Sequence, residues 1–190
     1  MAGYSDRIND PAFDKYVADT ARYAKIFSFI IAIAAIVGFF LYGQLSNDMD
    51  NPEALYIGLG IGGMFIVIAL ITNRSRKGAV TWDGTVVDKK VEKKTRRRNA
   101  TDMDYHAREY LLYTVIIESE RGKRHEITSE NDDTLYNYYQ AGERVRYHGK
   151  LRTFEKYDKS KDNIIFCNAC ASLNEITDER CFRCNCPLLK

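Results

Sequence analysis

The sequence has few of the groups that carry out catalysis. Its three histidines, His106, His125 and His148, are dispersed along the chain, and no cysteine precedes Cys167. No pair of carboxylates stands where a general acid and a general base would be expected. These absences argue against acid–base and nucleophilic chemistry, so we expect the protein not to be an enzyme.

Charge is missing altogether from two stretches. The runs Ile26–Tyr42 and Leu55–Ile71 hold 17 residues each, and none of them is charged. A helix of that length covers roughly 26 Å, close to the hydrocarbon thickness of a bilayer. The rest of the chain is too polar to wrap both runs inside a soluble protein, so residues 25–73 are predicted to form a two-helix transmembrane hairpin. The lack of ionisable groups within the runs argues against an ion or solute pathway through them.

The loop between the two runs, Gly43–Ala54, lacks lysine and arginine and carries three acidic residues. Basic residues flank the other ends of the runs, at Arg7, Lys15, Arg22, Lys25, Arg74, Arg76 and Lys77. The positive-inside rule therefore predicts a multi-pass protein of the cell (inner) membrane with both termini in the cytoplasm. The first run begins too far along the chain, and is too long, for a cleaved signal peptide.

Local signals mark the start of one helix and the packing of another. Asp10-Pro11 is typical of a helix start, so residues 1–24 are predicted to form a cytoplasmic N-terminal helix. That helix lies on the membrane surface or continues straight into the first apolar run. In the second run Gly58 and Gly62 are four residues apart and permit close helix packing. They close the hairpin on itself or join two copies in a homo-oligomer.

Residues 78–158 change to a β-rich pattern with a period of two. We expect Asp83-Gly84 to form a bulge or turn in the first strand and Asp132–Gln140 to contain a helical turn. The predicted strands are 79–87, Tyr110–Glu118, His125–Ser129, Glu143–His148 and Leu151–Tyr157. Four or five short antiparallel strands of this kind predict a small β-barrel of OB or SH3-like size.

A basic segment interrupts these strands. Residues 89–98 contain seven basic residues and one acid, which leaves the rest of the chain with a net charge of −4. The basic residues are Lys89, Lys90, Lys93, Lys94, Arg96, Arg97 and Arg98. Residues 88–108 are predicted to form a long solvated hairpin or a partly disordered loop. As a binding site, the segment favours anionic membrane lipid or an acidic protein partner over nucleic acid, because no aromatic residue is interleaved with its charges.

All five cysteines lie near the end of the sequence, on the predicted cytoplasmic side, where thiols stay reduced. Cys167 and Cys170 form one C-x-x-C pair and Cys181 and Cys184 another, with ten residues between the pairs. Two such pairs supply the four thiolates of a tetrahedral Zn²⁺ shell, with no open position for a reacting water. The sequence therefore predicts a structural zinc site. The symmetric spacing of the two pairs favours Cys186 outside this site over the alternative in which Cys186 replaces Cys184 as a ligand.

The segment 167–188, with its Cys181-Phe-Arg-Cys184-Asn-Cys-Pro-Leu188 ending, resembles the short zinc ribbons at the ends of many bacterial proteins. That resemblance implies zinc ligation by the four paired cysteines and a role in binding protein or nucleic acid. The glycine that usually follows each C-x-x-C pair is replaced here by Ala171 and Asn185. Residues 82–87, 110–118 and 141–147 are similar to the small barrels of uncharacterised bacterial membrane proteins, which implies an OB-like fold without an assigned function.

The sequence as a whole predicts a membrane α-helical hairpin, a small antiparallel β-barrel over residues 78–158 and a C-terminal zinc ribbon over residues 164–190. The favoured function is a membrane-anchored cytoplasmic protein-interaction or scaffold module with an unidentified protein partner. The alternative is membrane-tethered binding of nucleic acid or anionic lipid through residues 89–98 and the ribbon. A weaker hypothesis makes Cys186 a redox or zinc-level sensor.

Overall fold

The computed structural model describes residues 2–46, 49–77, 80–96 and 108–190. A short 3-10 turn, Asp6–Asn9, precedes the two long helices. The α-helices are α1 (Pro11–Leu45), α2 (Glu53–Lys77) and α3 (Thr134–Tyr138). The strands are β1 (Trp82–Arg96), β2 (Arg108–Ser119), β3 (Arg124–Glu130), β4 (Arg144–His148), β5 (Thr153–Lys156), β6 (Ile164–Phe166) and β7 (Leu173–Glu175).

Helix α1 begins where the sequence predicts. The Asp10 side chain accepts a hydrogen bond from the Ala12 backbone N–H at 2.8 Å, and Pro11 occupies the first helical position. The helix then runs for 35 residues without a break, about 52 Å at the usual rise. The predicted N-terminal helix and the first apolar run are therefore one continuous element, and the alternative of a separate surface helix is wrong.

Helices α1 and α2 form a tightly packed hairpin. A Cβ added at Gly58 would lie 3.2 Å from the Ala35 carbonyl oxygen, and one at Gly62 would lie 3.1 Å from that of Ala32. These two glycines therefore pack within the hairpin, whereas Gly60 has nothing described within 4 Å. Both helices are long and apolar enough to cross a membrane. Their outer faces carry exposed apolar side chains, among them Ile30, Ile33, Leu70 and Ile71.

Strands β1 to β5 form one antiparallel sheet in the order β3-β2-β1-β4-β5. The predicted barrel is wrong, because β3 and β5 lie at opposite edges and the sheet stays open. Among the described residues, β4 pairs with β1 only at Trp82–Thr85, at one end of this 15-residue strand, and β5 has no pairing with β3. The core-facing side of the sheet is covered by Tyr138 at the end of α3, by Tyr139 directly after it, and by residues of β6.

Asp83-Gly84 is not a bulge or turn. Both residues pair in register with β2 or β4, and the register shift falls between Val86 and Asp88. The Asp83 carboxylate accepts two hydrogen bonds from Arg146 across the strands, at 2.6 and 2.8 Å. A Cβ at Gly84 would lie 2.6 Å from the Glu118 carbonyl oxygen. The pair that is typical of a turn is here an ion-pair residue and a site of close strand approach.

Most of the basic segment is strand rather than loop. Strand β1 continues through Lys89–Arg96 and pairs with β2 as far as Arg108, so the described part is a long two-stranded hairpin. The prediction of a long solvated hairpin is confirmed for these residues. Arg97 and Arg98 lie outside the described residues, as does His106.

The residues before α1, which carry no sequence signal, dock on β5 and the loop after it. The Gly3 backbone N–H donates to the Tyr157 carbonyl oxygen at 2.8 Å, and the Ser5 N–H donates to the Glu155 carboxylate at 2.8 Å. Glu155 is buried and also accepts from His148 and Lys159. Burial opposes its ionisation, but these hydrogen bonds and the Lys159 charge outweigh burial and lower the pKa of Glu155. The N-terminal segment thus completes a buried ionic cluster.

Candidate metal centre

Two backbone turns of the same design present the paired cysteines. In the first, the Ala171 N–H donates to the Cys167 carbonyl oxygen at 2.8 Å, and the Cys167 N–H donates to Ser172 at 2.9 Å. In the second, Asn185 N–H donates to the Cys181 carbonyl oxygen at 2.9 Å, and Cys181 N–H donates to that of Cys186 at 2.9 Å. Strands β6 and β7 pair with each other on either side of the first turn.

Each turn ends in a left-handed residue. Ala171 and Asn185 both have a φ of +57°, at the positions where the resembled ribbons carry glycine. Asparagine enters this region more readily than alanine, whose Cβ is crowded there at a cost of roughly 1 kcal/mol or more. The strain at Ala171 indicates that the surrounding contacts hold the first turn in this geometry.

The turns bring four thiols into one cluster. The sulfur atoms of Cys167, Cys170, Cys181 and Cys184 all lie within 4.8 Å of one another. Cys167 Sγ is 3.5 Å from Cys184 Sγ, and Cys170 Sγ is 3.6 Å from Cys181 Sγ. A tetrahedral zinc–thiolate shell with bonds of about 2.3 Å has an edge of about 3.8 Å between sulfurs. The quartet therefore fits a tetrahedral metal ion.

The surroundings of the thiols also suit a metal. Burial raises the pKa of the Cys167 thiol to about 12 and also raises the pKa of Cys184. Burial opposes ionisation of Cys181 too, but hydrogen bonds from the backbone N–H groups of Cys184 and Arg183 and from the thiols of Cys170 and Cys184 lower its pKa to about 7. Because metal ligation requires thiolates, binding of a metal ion releases a proton from each of the four thiols that is still protonated.

Cys186 lies outside the quartet and serves the packing around it. Its side chain is buried, and its thiol donates to the Ala12 carbonyl oxygen in the first turn of α1 at 3.7 Å. Cys186 belongs to a buried cluster that also includes the apolar side chains of Phe13, Leu188 and Leu189. The fifth cysteine thus joins the thiol cluster to α1.

The first turns of α1 are part of the site's support, which sequence reasoning missed. Phe13 is fully buried among residues that follow position 164, and Ile8 and Tyr16 pack against the same cluster. Phe13 and Tyr16 are three residues apart, a spacing typical of one helix face, but periodicity alone cannot say what covers such a face. On its other side the first cysteine turn is joined to β5, because the Asn168 side chain donates to the Phe154 carbonyl oxygen at 3.1 Å.

The basic residues of the β1 extension do not form an unopposed positive patch. Lys93 pairs with Glu109 at 2.6 Å and Arg96 with Glu130 at 2.9 Å. The other three described basic side chains also have partners: Lys90 pairs with Asp88, Lys94 with Glu92, and Lys89 lies over the Tyr136 ring. The four ion pairs are exposed and weak, so they lower the local charge without removing the side chains from solvent.

The described histidines have structural partners away from the thiols. His148 Nε2 lies 2.7 Å from the buried Glu155 carboxylate. The His125 ring stacks on Trp82 with a centroid distance of 4.4 Å. Within the described residues neither ring joins the four-cysteine cluster.

Compared with protein-family models, curated proteins and solved structures, the chain matches none of them. The resemblances to zinc ribbons and to bacterial membrane proteins with small barrels therefore stay predictions. The features that bear on function are the thiol cluster, the two apolar helices with exposed outer faces and the sheet.

Proposed function

We propose that the protein is a membrane-anchored module that binds a cytoplasmic protein partner, with a structural zinc ion in its head, the part of the chain that follows residue 80. The observation that carries this proposal is the cluster of four thiols, which packs together with the first turns of α1. A metal with four protein ligands has no open position for substrate or water, so it supports a shape rather than a reaction.

The donor set supports zinc as the metal. Four thiolates in tetrahedral geometry suit Zn²⁺, with iron as the main competitor for such a site. The ion would be held by the four thiolates of Cys167, Cys170, Cys181 and Cys184. Bound there, Zn²⁺ would cross-link the two turns. In a segment with only two three-residue strands, metal binding contributes much of the folding free energy.

The exposed apolar faces of α1 and α2 support membrane insertion. Side chains such as Ile33, at 60% exposed, and Leu70, at 62%, would otherwise contact water along both helices. The basic residues beside the outer ends of the hairpin, and their absence from the loop, favour a cytoplasmic head. This placement keeps the thiols in a reducing compartment, where metal binding is favoured over disulfides.

Metal analysis of the purified full-length chain in detergent micelles tests the zinc site. We expect about one zinc per chain, strongly reduced in Cys170→Ser and retained in the matched control Cys186→Ser. The control removes a thiol from the same cluster of buried residues but not from the quartet. Iron with thiolate absorption bands, or equal zinc loss in both variants, would contradict the proposal.

Topology and partnership need separate measurements. In spheroplasts, added protease is expected to cut a tag inserted in the loop at Asp50 but not one at the N-terminus.

Crosslinking in native membranes, followed by mass spectrometry, is expected to return the same protein partner in replicate preparations. Cleavage of the N-terminal tag, or no reproducible partner, would overturn the respective part of the proposal. Recovery of nucleic acid instead would favour the alternative function.

A further inference from the structure

The extension of β1 has an open edge. Among the described residues, β2 pairs with one side of β1 from Gly84 to Arg96, but β4 pairs with the other side only at Trp82–Thr85. From Asp88 to Arg96 no described strand pairs with that second side. At the usual rise these nine residues present about 30 Å of unpaired strand edge. Such an edge is a template for another strand.

Two hydrogen bonds identify which backbone groups point outward. The Lys89 N–H donates to the Asp88 side chain at 2.8 Å rather than to β2. Leu111, which lies opposite Lys93, directs its carbonyl oxygen to Asn131 beyond β3 and so away from β1. Because outward groups recur every second residue, the N–H groups of Val91, Lys93 and Thr95 also point outward. Among the described residues none accepts from these three donors.

The side chains along this edge differ between the two faces of the hairpin. Lys90, Lys94 and Arg96 lie on one face together with Glu92, whereas Lys89 and Lys93 lie on the other face with Val91. On the other face the apolar core runs out, leaving Val91 48% exposed and the neighbouring Leu111 40% exposed. The ion pairs of Lys90 and Lys94 join them to residues two positions away on the same strand and are weak enough to exchange partners.

We propose that the Asp88–Arg96 edge of β1 binds an extended acidic segment of a protein partner by strand addition. Acidic side chains of that segment would face Lys90 and Lys94, and the intervening apolar side chains would cover Val91 and Leu111. This inference rests on the proposed function and names the chemistry of the partner. A second copy of the chain is disfavoured, because antiparallel pairing of two lysine-rich strands places like charges side by side. The lysines therefore both block self-association and select an acidic strand.

Peptide binding to the full-length chain in nanodiscs of zwitterionic lipid tests the edge. The probe is a fluorescent twelve-residue peptide that alternates Glu and Val, and the control peptide alternates Lys and Val. We expect binding of the acidic peptide alone, with slower hydrogen exchange at Val91, Lys93 and Thr95. Equal binding of both peptides, or no change in exchange at these amides, would overturn the proposal.

Two pairs of variants separate strand addition from simple charge attraction. Val91→Pro removes an outward donor that β2 does not use and should weaken binding about tenfold or more, whereas Val91→Ala should stay within about twofold. Lys90→Glu with Lys94→Glu should abolish binding, and the paired Gln substitutions should weaken it less. Full binding by Val91→Pro would overturn strand addition. Stronger binding to anionic vesicles or to single-stranded RNA than to the acidic peptide would assign the edge to lipid or nucleic acid instead.

Photocrosslinking in native membranes separates this inference from the proposed function. A photoreactive residue replaces Val91 on the edge or Phe182, an exposed side chain on the second cysteine turn. Capture of one protein at both positions or at Val91 alone, together with peptide binding, supports the inference. Capture at Phe182 alone overturns the edge proposal and leaves the interaction module standing. No reproducible protein at either position overturns the proposed function, whatever the peptide does.

Discussion

Phe13 offers the sharpest test of how the head is joined to the long helix. The side chain lies two residues inside α1, yet it is fully buried in the cluster that includes Ile165, Leu188 and Leu189. Replacing it with alanine removes most of its apolar area and leaves a cavity between the helix and the cysteine turns. Such core Phe→Ala substitutions cost about 3 to 5 kcal/mol.

That cost should appear as detachment of α1 from the cysteine turns. A loss of about 3 to 5 kcal/mol multiplies the population of the open form by between roughly 100-fold and 4,000-fold. Amide hydrogen exchange, followed by mass spectrometry on the full chain with saturating zinc, reports this opening in β6 and β7. Saturating metal keeps the contribution of zinc binding the same in both proteins.

The control for Phe13→Ala is Phe27→Ala. It removes the same side chain from the same helix, but at a position that is 53% exposed within the apolar run. We expect exchange in β6 and β7 to be unchanged by this control. Equal exchange in the two variants, or a change below about 1 kcal/mol for Phe13→Ala, would refute the claim that α1 supports the head.

Three further substitutions test local contacts. Gly62→Leu should separate α1 from α2 and lower the thermal midpoint in micelles, because its Cβ would lie 3.1 Å from a backbone oxygen, while Gly60→Leu should not. Ala171→Gly should raise the free energy of unfolding by about 1 kcal/mol, because glycine adopts a φ of +57° without strain. The denaturation midpoint should rise accordingly, and a lower midpoint would contradict this reasoning. The lowered pKa of Glu155 stabilises the fold above the unfolded-state pKa of about 4.3, and that stabilisation disappears as the pH falls through the folded-state value. Between pH 7 and pH 3 the wild type should therefore lose more stability in chemical denaturation than Glu155→Gln, and an equal loss would contradict the assignment.

Local patterns predicted the elements well. The Asp10-Pro11 start of α1, the strand at Tyr110–Glu118 and the helical turn within Asp132–Gln140 all depend on neighbouring residues, and all are present. The two C-x-x-C pairs are similarly local, because each turn sets the spacing of its own thiols. A sequence pattern reports such features directly.

Contacts between distant residues were not predictable in the same way. Ser5 and Glu155 are joined by a hydrogen bond across 150 positions, and neither residue carries a signal for the other. The predicted barrel was wrong for a related reason. Closure depends on how far β4 and β5 extend along β1, and the pattern within each strand does not report that length. In the basic segment the abundance of charge left a paired hairpin and a disordered loop equally open, because lysines on an exposed edge need no apolar alternation.

The burial of Phe13 against residues near Leu188 also sets an order of events during biosynthesis. Roughly 175 residues separate the two positions, which at 5 to 20 residues per second corresponds to about 9 to 35 s of translation. Throughout that interval the start of α1 exists without the surface that will cover it. A chain whose synthesis stops before the second cysteine turn therefore has both apolar runs complete but lacks the residues that bury Phe13.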